Sequence, residues 1–358
     1  MSNKKEIEYN KIKEEETSVS EHNCRCCYSD SEDSDNDENT EITNKHYLSK
    51  VYTNEEIYEH INKWKKMNKP RKILVLSDLH LKRIPKLPDN VLYLNISNNP
   101  IKKLENLPAG LKTLYCKSHY LETLNGLPNG IENVYCKYTN ISDFSLIPNT
   151  VLNLDIGCQN IKSINNFPIK LKKLRCNTLN SKLLEYLPDS IEYLYLFCMS
   201  KIDIIKLPIN IKTLIIKYTS VKNINYLPPN LKTLMIMNSY TYNINYLPKT
   251  IKNIHISYTT LDTICNLPEG LKKLRCIATE LKQLPQLPNS LRILNVAWNN
   301  LNKLPELPKK LLYLNTKYNY IQENTIKIHD NILIYHSDNI KYKSDNLNDN
   351  KYRSIIYS

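Results

Sequence analysis

A proline recurs every twenty residues, with no insertion or deletion, from Pro88 through Pro108, Pro128, Pro148, Pro168, Pro188, Pro208, Pro228, Pro248, Pro268 and Pro288 to Pro308. Each follows an apolar residue, Leu in ten of the twelve cases and Ile147 or Phe167 in the other two. A fixed period this short means stacked units, each too small to bury a core alone and each resting on its neighbours. The period therefore dictates a solenoid, whose core grows linearly with repeat number.

With each Pro as position zero, apolar residues return at positions three, six, eight, thirteen and sixteen, as in Val91, Leu94, Ile96, Ile101 and Leu104. Leu111, Leu114, Cys116, Leu121 and Leu124 repeat the frame, as do Leu291, Leu294, Val296, Leu301 and Leu304. Side chains alternate across an extended segment, so positions six and eight share one face while five, seven and nine share the other. One short strand per repeat follows, and stacking makes a parallel ladder spaced about 4.8 Å apart. About ten residues return the chain, too few for an ordinary crossover helix, and the Leu-Pro pair favours an extended or polyproline-like path. The prolines are expected on an exposed return segment.

The run V-x-x-L-x-I-x-x-N-x-I-x-x-L from Val91 to Leu104 resembles the leucine-rich repeat family. Its Leu-Pro form is similar to the repeats of secreted effectors of enteric bacteria, the YopM and IpaH type, and to arrays in proteins of amoeba-infecting giant viruses. The resemblance covers roughly residues 71 to 339 and implies a horseshoe with a parallel β-sheet on its concave face, which in family members binds other proteins. The family places Asn at position eleven to bond the turn backbone; here it stands only at Asn99, Asn299 and Asn319. Thr139, Thr219, Thr259, Thr279, Ser239, Gln159 or His119 can still donate or accept, whereas Leu179 and Met199 cannot. With Ser181 and Lys201 at position thirteen, the ladder is expected to be least regular between about residues 179 and 202.

Four regions are expected: an acidic disordered tail (1–45), a helical N-cap (46–70), the array (71–320, about thirteen repeats) and a degenerate unit with its tail (321–358). Thr53 and Glu56 have capping-box spacing, and Ile57, Ile61 and Trp64 follow at helical spacing, so residues 54 to 68 are predicted as a helix covering the first repeat. After Pro308, Ile334 and Asn339 still occupy frame positions and suggest a polar capping unit.

The formal charge of +13 is uneven: residues 1 to 70 hold 11 basic and 16 acidic side chains, a balance of −5, which leaves +18 on the remainder. The tract from Ser29 to Asn39 has almost no apolar content. No apolar stretch approaches the roughly eighteen residues that span a bilayer, and the N-terminal segment lacks a signal-peptide core, so no membrane association is expected and the cytoplasm is the expected location, the host cytoplasm for a viral protein. Cys116, Cys136, Cys176 and Cys276 all stand at position eight, which makes them small buried hydrophobes with reduced thiols. Cys24, Cys26 and Cys27 near His22 leave open a metal site and an exposed oxidisable cluster; no second ligand pair is apparent, and no metal or other cofactor is expected.

Two outward features offer binding chemistry. Tyr193, Tyr195 and Phe197 lie beside Ile215, Met235 and Met237 in three neighbouring repeats, an apolar and aromatic cluster on a face expected to be wet, with Tyr115, Tyr135, Arg175 and Arg275 in the same position-seven row. Lys212, Lys232, Lys252, Lys272 and Arg292 sit four residues after Pro in five consecutive repeats, so stacking brings like charges together along one edge. No phosphate-binding Gly loop, H-E-x-x-H or G-x-S-x-G motif is present. In IpaH-type relatives ligase activity sits in a separate domain with a catalytic Cys; no Cys follows Cys276 here, so that activity is not carried over. The expected function is a non-enzymatic scaffold binding a protein partner on the concave face. Polyanion or nucleic-acid binding through the basic edge, and a structural virion role, are the alternatives.

Overall fold

The computed structural model describes residues 52–67, 72–157, 167–177, 184–197, 204, 206–221, 223–322 and 325–337. The acidic tract, the cysteines near His22, Asn339, and the irregular positions Leu179, Ser181, Met199 and Lys201 lie outside them.

The helix α1 (Asn54–Lys66) starts on the predicted capping box: Glu56 N–H donates to Thr53 Oγ1 (3.2 Å) and Thr53 N–H donates to Glu56 Oε2 (2.8 Å). Its buried stripe is Ile57, Ile61 and Trp64. The Trp64 indole N–H donates to the Ile73 carbonyl (2.6 Å), and His60 Nε2 lies 3.2 Å from the Val75 carbonyl. These carbonyls belong to the first strand, so helix side chains satisfy groups that an uncovered sheet edge would leave unpaired.

Among the described residues there are sixteen strands. They are β1 (Ile73–Val75), β2 (Tyr93–Asn95), β3 (Thr113–Tyr115), β4 (Asn133–Tyr135), β5 (Asn153–Ile156), β6 (Lys173–Cys176), β7 (Tyr193–Phe197) and β8 (Thr213–Lys217). There follow β9 (Asn223–Ile224), β10 (Thr233–Ser239), β11 (Asn243–Ile244), β12 (Asn253–Thr259), β13 (Lys273–Ile277), β14 (Ile293–Asn295), β15 (Tyr313–Asn315) and β16 (Ile334–His336). Fourteen form one parallel sheet in chain order, and β9 pairs with β11 on the return side. The register keeps the sequence frame, with Leu214 opposite Leu234 and Leu234 opposite Ile254. The last unit breaks it: Leu314 pairs with Tyr335, so one extra residue has entered and Ile334 takes the outward position five, not the inward position six the frame assigns it.

Each repeat opens with a tight turn in which the position-three N–H donates to the Pro carbonyl, as from Leu271 to Pro268 (3.0 Å). Proline suits this place because the turn uses its carbonyl and no N–H. The next two N–H groups reach the position-four carbonyl of the preceding repeat, as Lys252 and Asn253 do to Lys232 (2.8 and 3.0 Å). Positions three, six and eight then form the core: Leu214, Leu234, Leu274 and Cys276 are 0% exposed. The four frame cysteines are buried and form no disulfide, and burial pushes the Cys276 thiol up to about 12. The prolines are a correction to the sequence reading, since Pro208, Pro228, Pro248 and Pro288 are buried. The return segment folds against the stack and carries them inward with the preceding Leu.

Position eleven lies where the chain turns off the sheet. Asn99 Nδ2 donates to the Leu76 and Ile96 carbonyls (both 2.8 Å) while its Oδ1 accepts from the Leu79 and Leu81 N–H groups (both 3.0 Å), turning the chain away from the sheet. The three repeats with Asn there have three-residue strands, as do β3 and β4 with His119 and Thr139, whereas β10 and β12 pair on to Ser239 and Thr259 at position eleven over seven residues.

Candidate functional site

The sheet face opposite the core carries positions five, seven and nine. In register across it run Arg175, Tyr195, Ile215, Met235, His255, Arg275 and Asn295, each opposite the next. The predicted centre is thereby brought together: Tyr195 faces Ile215, Ile215 faces Met235, and Tyr193, Phe197 and Met237 stand on the same strands.

Its exposure differs from the sequence expectation. Tyr195 is 6% exposed, Met237 8% and Arg275 7%, while Tyr193, Phe197, Ile215, Met235, Arg175 and Tyr135 are half-buried. Of the ten candidate residues Tyr115 is the exposed one, and its ring stacks on Tyr135 at 4.6 Å between centroids with a 7° tilt. Alternation fixes which side a residue takes, not what covers it. With strands about 4.8 Å apart, long side chains lie across their neighbours. Arg175 Cζ is 4.6 Å and Lys217 Nζ 5.8 Å from the centre of the Tyr195 ring, so two cations cover it.

Charge on this face is one-sided. The outward rows hold Lys117, Lys137, Lys173, Arg175, Lys217, Lys273, Arg275 and Lys317 against one carboxylate, Asp155. Asp155 is spent within the chain, with Oδ2 3.5 Å from Lys137 Nζ and 3.6 Å from Arg175 Nε. His255 is 6% exposed, and burial first, then Arg275 and Lys217, lower its pKa to about 4. His255 Nε2 and Ser257 Oγ are buried without a hydrogen-bond partner.

The basic edge is less uniform than its cations alone suggested. Glu132 and Glu192 share the position-four row: Lys112 Nζ is 2.8 Å from Glu132 Oε1, and Lys172 and Lys212 reach Glu192 at 3.1 and 2.6 Å. The two lysine hydrogen bonds hold the Glu192 carboxyl below its ordinary range. The cationic row thus starts from an ion pair at Lys212 and continues through Lys232, Lys252, Lys272 and Arg292.

Sequence reasoning passed over position ten. Tyr138, Tyr218, Tyr258, Trp298 and Tyr318 have φ between 52° and 58°, a left-handed conformation that disfavours bulky side chains. The turn into the return segment demands it, and Asn98 and Asn238 occupy the same place in other repeats. Trp298 and Tyr318 stack at 3.8 Å, and Phe197 meets Tyr218 at 5.0 Å, so this ridge borders the candidate face. The legible signal was an aromatic at one frame position in five repeats.

No protein-family model matches the sequence. No curated protein matches it. Among solved structures, CroV588, a circular leucine-rich repeat protein, aligns over 70% of this chain and 44% of its own, at 19% identity and a TM-score of 0.50. YopM from Yersinia enterocolitica aligns over 80% of this chain and 86% of its own, at 19% identity and a TM-score of 0.41. InlJ from Listeria monocytogenes aligns over 71% and 60%, at 15% identity and a TM-score of 0.45. One parallel strand per twenty residues, the Asn turn and the likeness to CroV588 define the chain as a leucine-rich repeat solenoid. Among the described residues no helix is long and apolar enough to cross a membrane.

Proposed function

We propose that this chain is a non-enzymatic scaffold that binds a protein partner on the outward strand face, centred on Tyr193, Tyr195, Phe197, Ile215, Met235 and Met237. One observation carries the reading: three adjacent in-register strands present aromatic, thioether and branched side chains on the side away from the core. Partly covered aromatics and methionines at the centre of a patch ringed by cations have the composition of an interface centre with a polar rim. Binding that rests on this patch changes little with salt.

A second reading has one observation behind it. Lys232, Lys252, Lys272 and Arg292 follow one another in the position-four row with no carboxylate among them, which suits a polyanion or nucleic-acid backbone. Two checks separate the readings. Ile215→Asp, at a half-buried outward position, is expected to abolish capture of the partner from native host cells while the chain stays folded by circular dichroism. Lys232→Gln with Lys252→Gln is expected to leave capture intact. The reverse pattern, with affinity collapsing between low and high salt, assigns binding to the edge.

A further inference from the structure

The proposed docking face has a charge pattern that specifies its partner more narrowly, and the inference rests on docking there. Arg175 and Arg275 both occupy position seven, five strand steps apart through Tyr195, Ile215, Met235 and His255. At about 4.8 Å per step the two guanidinium positions are separated by about 24 Å. Lys173 and Lys273 stand beside them at position five of the same strands. Between the two cationic ends the position-seven row is apolar at Tyr195, Ile215 and Met235.

The end at Arg275 has the marks of a place for an oxygen ligand. His255 lies opposite Arg275, Ser257 lies two residues further along β12, and His255 Nε2 and Ser257 Oγ are buried polar atoms without hydrogen-bond partners among the described residues. Buried polar atoms are nearly always paired in native proteins, by protein, water or ligand. Eight cations face one carboxylate over these rows, and that carboxylate already pairs with Lys137 and Arg175. The burial and neighbouring positive charge that keep His255 neutral leave it one ring N–H to donate.

We infer that the outward face recognises an extended acidic peptide segment of its partner, with an apolar or aromatic middle over Tyr195, Ile215 and Met235 and a carboxylate at each end, one near Arg175 and one at the Arg275, His255 and Ser257 recess. An extended chain advances about 3.3 Å per residue, so carboxylates about 24 Å apart stand about seven residues apart. A nucleic-acid strand fits less well, because it carries a phosphate on every nucleotide and would bury several against the ring and thioether in the middle, where nothing pairs them.

The test uses the full chain and fluorescence anisotropy with labelled synthetic peptides. One has Asp at its first and eighth positions with Leu, Tyr and Val between; a second has Asn at both ends; a third brings the two Asp residues four apart; oligodeoxythymidylate is the nucleic-acid probe. The expected result is tenfold or greater loss of affinity from the first peptide to the second and from the first to the third. Arg275→Gln is expected to weaken the first peptide tenfold and leave the second unchanged. Because the acid and amide peptides are compared on the natural chain, the result does not depend on whether that variant folds. Equal binding of acid and amide peptides, both abolished by Ile215→Asp, overturns the charge pattern while leaving docking on the face in place. Binding of neither peptide overturns both, and tight oligodeoxythymidylate binding without peptide binding assigns the cations to nucleic acid instead.

Discussion

The guanidinium of Arg175 lies 4.6 Å above the ring of Tyr195, directly opposite it in the parallel register, and Lys217 approaches the same ring at 5.8 Å. Tyr195 therefore serves the fold as well as the face. Tyr195→Ala is expected to lower stability by about 1 to 3 kcal/mol through lost ring burial and cation–π contact, measured by denaturant unfolding. Tyr195→Phe keeps the ring and is expected to be close to neutral. An unchanged midpoint for Tyr195→Ala would show that the covered ring contributes nothing.

Asn299 ties two adjacent repeats together and gives a second prediction. Its Nδ2 donates to the Cys276 and Val296 carbonyls (2.7 and 3.0 Å), and its Oδ1 accepts from the Leu281 N–H (3.2 Å), all in a buried setting. Asn299→Leu keeps the volume but strands these backbone groups, at a cost on the order of 2 to 4 kcal/mol. Asn319→Leu, half-buried near the end of the array, is expected to cost less. Equal midpoints for the two variants would refute a larger role for the Asn turn in mid-array.

The contrast between these residues shows what the sequence could carry. A fixed period and strand alternation were enough to place Leu214 inward, Tyr195 outward and Asn299 in the turn, because each follows from spacing. Cover is a different matter: whether Tyr195, Met237 and Arg275 are wet depends on how long side chains on adjacent strands lie down, and periodicity does not encode that. The pairs that Glu192 makes with Lys172 and Lys212 were visible as residue types in one row, but their closure depends on rotamers. The extra residue before β16 was hidden because Ile334 satisfied the frame in composition while Tyr335 took the inward place.

His255 makes stability pH-dependent. Burial, Arg275 and Lys217 lower its pKa from 6.5 to about 4, so between these values the unfolded chain binds a proton that the folded chain does not. Stability from this group is therefore level above pH 6.5 and falls as pH drops toward 4. Between pH 7 and pH 5 the loss is about 2 kcal/mol. His255→Gln is expected to remove that part of the slope in urea titrations at the two pH values, and an identical slope in both proteins would contradict a neutral buried imidazole.

Tyr258 isolates the strain in the position-ten row. Its φ is 52°, its side chain is 53% exposed, and Asn238 occupies the equivalent place one repeat earlier at φ 50°. Left-handed backbone is less costly for Asn, whose short polar side chain tolerates it, than for a bulky ring. Tyr258→Asn is accordingly expected to raise stability, by about 0.5 to 1 kcal/mol. Trp298 has the same backbone, φ 58°, but stacks on Tyr318 at 3.8 Å, so Trp298→Asn gives up a ring contact that offsets the relief. The two variants should thus separate in chemical denaturation, Tyr258→Asn above the natural protein and Trp298→Asn at or below it. If Tyr258→Asn is destabilising instead, the exposed ring makes a contribution to the fold that outweighs its backbone cost, and the aromatic ridge is structural.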